Sequence, residues 1–148
     1  MLNRPTTEQV LRGLINELTT VIAPELHSEP AKVSLGMITQ ILNGCATRSA
    51  HEIEWIHDEC NAIESAVSGL DDPATQCALA DYRNADLALS LDASVHRYHL
   101  ASEALSAAIE FAFSTTNKGL VVDLRELLKA RSAHEMQILG VFEMVGRG

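Results

Sequence analysis

Aromatic residues are scarce in this chain: one Trp, two Tyr and three Phe among 148 residues. A β-sandwich or barrel draws on aromatic and β-branched side chains, so an all-β fold is disfavoured. Basic residues are also few, 11 against 20 acids, for a formal charge of −9. Affinity for a phosphate backbone comes from Lys and Arg, which makes nucleic acid a poor partner. An anionic membrane surface is disfavoured for the same reason. Cysteine is limited to Cys45, Cys60 and Cys77, with no Cys-x-x-Cys. An odd count without that spacing implies neither a disulfide framework nor a zinc knuckle, and it fits reduced thiols in a cytoplasmic protein. Long apolar runs are missing: the longest stretch without a charge, Val33 to Thr47, has 15 residues and includes Ser, Thr, Gln and Asn. A bilayer span needs roughly 20 apolar residues, and no apolar signal region opens the chain. There is no Gly-x-Gly-x-x-Gly, no Walker lysine loop and no Gly-x-Ser-x-Gly. No catalytic or cofactor-binding residue is therefore assigned, no cofactor is expected, and an autonomous enzyme is disfavoured.

What is abundant is alanine and leucine, 19 of each. Both lose little side-chain entropy in a helix. Thr6 and Gln9 have capping-box spacing, followed by Val10, Leu11, Leu14, Ile15, Leu18, Val21 and Ile22 at helical period. Pro24 is expected to end this helix near Ala23. A second helix starts at Pro30 and carries one long stripe: Leu35, Ile38, Leu42, Cys45, Ser49, Ile53, Ile56, Cys60, Ile63 and Val67. Unbroken, Ala31 to Val67 spans roughly 55 Å. Gly36 and Gly44 each cost about 1 kcal/mol relative to Ala, so a kink between Gly44 and Ser49 is the alternative to a single rod. Gly69 stops this helix, and Asp72-Pro73 starts a third. The third runs to about Leu89, with Ala78, Tyr82, Ala85 and Leu89 on one face. A fourth starts near Asp92 and uses Val95, Tyr98, Ala101, Leu105, Ala108, Ile109 and Ala112; Asn117-Lys118-Gly119 ends it. A fifth covers Leu120 to Leu139, with Leu124, Leu128, Met136 and Leu139 inward. The expected fold is a single all-α domain over residues 1–148, an up-and-down bundle of four or five helices with one long helix. A helix of more than about 30 residues overhangs a compact monomer, which favours a homo-oligomer or a larger partner.

The charge is segregated. Residues 52–92 hold ten acids and one base, Arg83, whereas the flanking segments are each balanced. This acidic stretch around the turn at Ser68–Pro73 is either a solvated tip or a docking surface for a basic partner. On the second reading Glu64, Asp71 and Asp72 are candidate contacts. The apolar C-terminal stretch adds Phe142, Met144 and Arg147.

One metal-like pattern is present. Glu54-Trp55-Ile56-His57 is a Glu-x-x-His motif, whose first and fourth residues project from one helix face. His99 and Glu103 sit four apart on the fourth helix and would complete a mixed nitrogen–oxygen site with Glu54 and His57. A metal-carboxylate, ferritin-like bundle is thus the alternative to an interaction protein. The bland reading is that these are solvated faces, since polar i,i+4 pairs are ordinary surface chemistry. Cys45 and Cys60 fall on the apolar stripe and read as small core residues.

Arg4-Pro5-Thr6-Thr7-Glu8-Gln9-Val10-Leu11, Val21-Ile22-Ala23-Pro24-Glu25-Leu26 and Ala31-Lys32-Val33-Ser34-Leu35 together carry a resemblance. They resemble the N-terminal region of a family of small helical bacterial proteins. Members are encoded beside aminoglycoside-phosphotransferase-like kinases and acyl-CoA dehydrogenases. The matching part covers about a third of the chain, and its motifs are not catalytic. The resemblance implies an accessory subunit whose partner is a phosphotransferase-like kinase or an acyl-CoA-pathway enzyme. The acidic middle and the apolar tail depart from the shorter members.

Overall fold

A computed structural model describes residues 4–139. The fold is all-α, and among the described residues there is no strand. Helix α1 covers Thr7–Glu17 and continues through a π-turn, Leu18–Ile22, into a short turn, Ala23–Glu25. Helix α2 is Glu29–Val67, α3 Pro73–Asn84, α4 Leu91–Ser114 and α5 Lys118–Leu139. Among the described residues no helix is long and apolar enough to cross a membrane.

The helix starts follow local chemistry. Thr6 Oγ1 accepts the Gln9 N–H at 3.2 Å, and Gln9 Oε1 accepts the Thr6 N–H at 3.0 Å, completing the capping box. Asp72 accepts both the N–H and the hydroxyl of Thr75, with Pro73 at the first helical position. Ser90 accepts the Ala93 N–H at 3.2 Å. The end of α1 differs from expectation. Ala23 N–H donates to Leu18 O, five residues back. The wider turn lets the chain carry Pro24, which has no N–H to donate, one turn further before Leu26 becomes extended.

The one long helix is found as expected, and two other expectations are corrected. The glycines of α2 do not break it: one helix runs the full 39 residues. The helix from Pro73 ends at Asn84, not Leu89, because Ala85 is extended and the Asp86 carboxylate accepts the Ala88 N–H at 3.1 Å. Such a local bond offers the backbone an alternative to the helix, and Leu89 is consequently 85% exposed. The turn after α4 falls at Thr115–Asn117, so Lys118 and Gly119 already belong to α5. Thr116 there has φ 53°, a left-handed conformation that β-branched residues rarely adopt.

The chain divides into two compact units. One comprises residues up to Glu52 together with those from Ala133 on; the other is Ile53–Ser132. The second unit holds the hydrophobic core. Cys60, Ile63 and Val67 of α2 pack with Leu79 and Tyr82 of α3, with Ala101, Ala104, Leu105, Ala108 and Ala112 of α4, and with Leu120 and Leu124 of α5. Four of the five α4 residues are alanines, which bring neighbouring helices close without bulky side chains. The first unit is different. Among its described residues Ala46 alone is buried.

Candidate functional site

The feature that stands out is in the first unit. Val33, Met37, Ile41 and Cys45 are spaced four apart on α2, so they form one row along a helix face. Val33, Met37 and Ile41 are 58, 59 and 65% exposed, and the adjacent Ile38 is 50% exposed. The end of α5 lies beside this row. The last carbonyls of a helix lack partners within it, and Gln40 Nε2 supplies one by donating to Leu139 O at 3.0 Å. Gly44 makes that approach possible: a Cβ at this position would stand 2.8 Å from Ile138 O. The result is an apolar groove of about 340 Å³ lined by Met37, Ile41, Cys45, Arg48, Ile138 and Leu139. Among the described residues Arg48 is the one charge on its wall. Its guanidinium is hydrogen-bonded to Glu52, which raises its pKa above the ordinary value. Val10 and Leu14 on α1, and Val21 and Ile22 in the π-turn after it, are also exposed. The inward assignments of Leu128, Met136 and Leu139, and the core assignment of Cys45, are corrected: all four are exposed.

The residues singled out by the metal motif do not come together in this way. Glu54, His57, His99 and Glu103 are all exposed. Among the described residues no group of three or more His, Cys, Asp or Glu could hold a metal ion. Of the acidic contacts, Asp71 is exposed, but the other two have intramolecular partners. Glu64 accepts from Arg83 Nε at 2.6 Å. Asp72 is the N-cap of α3. Asp72→Ala is therefore expected to lower stability by about 1 kcal/mol, while Asp72→Asn keeps most of it. Urea unfolding of both variants checks this, and equal losses would remove the cap from the account. Phe142, Met144 and Arg147 lie outside the described residues.

A second polar cluster, in the Ile53–Ser132 unit, was not legible from spacing. Glu59 Oε1 accepts from Arg131 Nε at 2.5 Å, across 72 residues of sequence. Tyr98 donates its hydroxyl to Glu59, and Arg131 Nη2 donates to Ser102 Oγ at 3.1 Å. The Arg131 guanidinium also stands 5.1 Å from the Tyr98 ring centre. Beside them Arg97 donates to the Tyr82 hydroxyl at 3.0 Å and lies 4.9 Å from that ring's centre. Its Nε is buried without a hydrogen-bond partner; the ring face offsets part of that cost. Apart from Arg97 Nε the groups satisfy one another, and the arrangement reads as a clamp between helices.

Cys60 lies next to this clamp. Burial pushes its thiol up to about 11, with Arg97 and Arg131 opposing and Glu59 reinforcing the shift. At neutral pH the thiol is protonated and inert. Native protein is expected to lose the exposed Cys77 thiol to iodoacetamide, and Cys60 only in denaturant. Because the folded state holds this proton more tightly, its stabilising contribution is complete below pH 9 and is lost as pH rises through about 11. Three equally fast thiols in native protein would contradict the burial. No family model, curated protein or solved structure matches the chain.

Proposed function

We propose that this protein is a non-enzymatic helical subunit that works through protein–protein contact, with the apolar face of its first unit as a contact surface. The observation that carries the reading is the imbalance within that unit. It buries one described residue, Ala46, yet leaves Val10, Leu14, Val33, Met37, Ile38 and Ile41 open. Monomeric proteins seldom expose apolar patches beyond a few hundred Å², and larger ones mark interaction sites. The resemblance of the N-terminal third adds the nature of the assembly: an accessory role to a phosphotransferase-like kinase or an acyl-CoA-pathway enzyme in the cytoplasm. Native mass spectrometry of tagged protein isolated from its own host tests this. The expected result is a stoichiometric protein complex that Ile41→Glu dissolves. A bare single chain would refute the reading, and a complex that survives Ile41→Glu would remove this face from it.

A further inference from the structure

We infer that a second copy of this chain covers the α2–α5 face of the first unit, making the protein a two-fold homodimer. The inference rests on the reading of that face as a protein contact, and it names the occupant. Three observations point to a second copy.

The first is charge. From Val33 to Thr47 no side chain is charged. Arg48, which follows, is already paired with Glu52. Electrostatic selection needs complementary potentials, and this stretch offers a charged partner none; a second copy presents the same uncharged stretch. Most of the chain's acids lie in the other unit: Ile53–Ser132 holds thirteen acids against six bases.

The second is area. Val33, Met37, Ile38, Ile41 and Leu139 are each half to two-thirds open. Together they present on the order of 500 Å², more than half of the ~800 Å² that each partner gives to a standard stable interface.

The third is shape. Val33, Met37 and Ile41 form a ridge of residues four apart. Ridges of this kind pack into the grooves between ridges of the same kind, with helices crossing at about −50°. An isologous dimer needs a patch that complements itself, and this row supplies the same element to both sides. The groove beside it, floored by Gly44 and walled by Ile138 and Leu139, provides the depression that the partner's Met37 and Ile41 side chains would enter.

Sedimentation equilibrium of the full chain from about 1 to about 100 μM, the range in which micromolar affinity shows, decides the matter. The expected result is a dimer. Ile41→Glu should raise its dissociation constant on the order of 100-fold or more, since the new carboxylate would be buried without a partner. Met37→Glu should do the same, and Leu87→Glu, an exposed apolar position in the other unit, should leave it unchanged. Circular dichroism on each variant confirms that helix content is kept. A wild-type monomer throughout the range overturns the inference, as does a dimer indifferent to both Ile41→Glu and Met37→Glu. If the wild type is monomeric but a host protein is lost from the isolated complex on Ile41→Glu, the self-pairing falls while the broader reading stands. If no protein is held in either experiment, both fall.

Discussion

Replacing Ile63 by Ala is expected to lower the unfolding free energy of the Ile53–Ser132 unit by about 2 to 5 kcal/mol. Ile63 is fully buried, and it belongs to the cluster that joins α2 to the alanines of α4. Two terms add in such a substitution, the lost transfer of the side chain from water and the cavity left behind. Relaxation is what normally reduces the second term. Here Ala101, Ala104 and Ala108 are among the neighbours in the core, and an alanine has no side-chain rotamer with which to fill space. The value should therefore fall in the upper part of the range. Guanidinium unfolding followed through Trp55, the single Trp and a residue of the same unit, gives the number. A loss below about 1 kcal/mol would mean that the core is far looser than this packing implies.

The second large effect is expected at Glu59. Its side chain is 12% exposed and that of Arg131 is 24% exposed, so neither charge is well solvated. Glu59→Ala takes the carboxylate from the part-buried Arg131 guanidinium, and removing one partner of a buried pair costs up to about 3 to 5 kcal/mol. That figure is the cost of an orphaned charge and differs from the net contribution of the pair. The double variant Glu59→Leu with Arg131→Met should thus be much closer to wild type than either single change. The exposed pair Arg83–Glu64 is the comparison: Glu64→Ala should cost about 1 kcal/mol or less, because solvent screens it. Equal losses at Glu59 and Glu64 would show that burial does not govern the first pair.

Much of the fold was legible because it depends on residues close in sequence. Thr6, Asp72 and Ser90 cap helices through bonds spanning three residues. The α4 stripe of Ala101, Leu105, Ala108 and Ala112 is buried as its periodicity implies. The α2 stripe shows where such reasoning stops. Its period is the same from Leu35 to Val67, yet Cys60, Ile63 and Val67 are buried while Ile38, Cys45 and Ile53 are exposed. Periodicity says which residues share a face; it does not say whether anything covers that face. The cover comes from α3, α4 and α5, whose meeting with α2 involves separations no local pattern encodes. Gly44 makes the same point. Read locally it is a weak spot in a helix, but its lack of a Cβ is what admits the backbone of Ile138. The Glu59–Arg131 pair was missed because its partners are 72 positions apart and neither belongs to a recognisable motif.

The contact of Gln40 and Gly44 with the end of α5 also bears on the order in which the molecule assembles. The Gln40–Leu139 bond closes a loop of 99 residues, whereas the other unit is one continuous stretch, Ile53–Ser132. Contacts between distant residues form late, because the entropy of closing the intervening chain is lost before the contact rewards it. A ribosome that has delivered α1 and the first half of α2 has made most of a unit that cannot yet form. The Gln40–Leu139 contact therefore has to follow synthesis of the last turn of α5, whereas the Ile53–Ser132 unit has its whole sequence seven residues sooner.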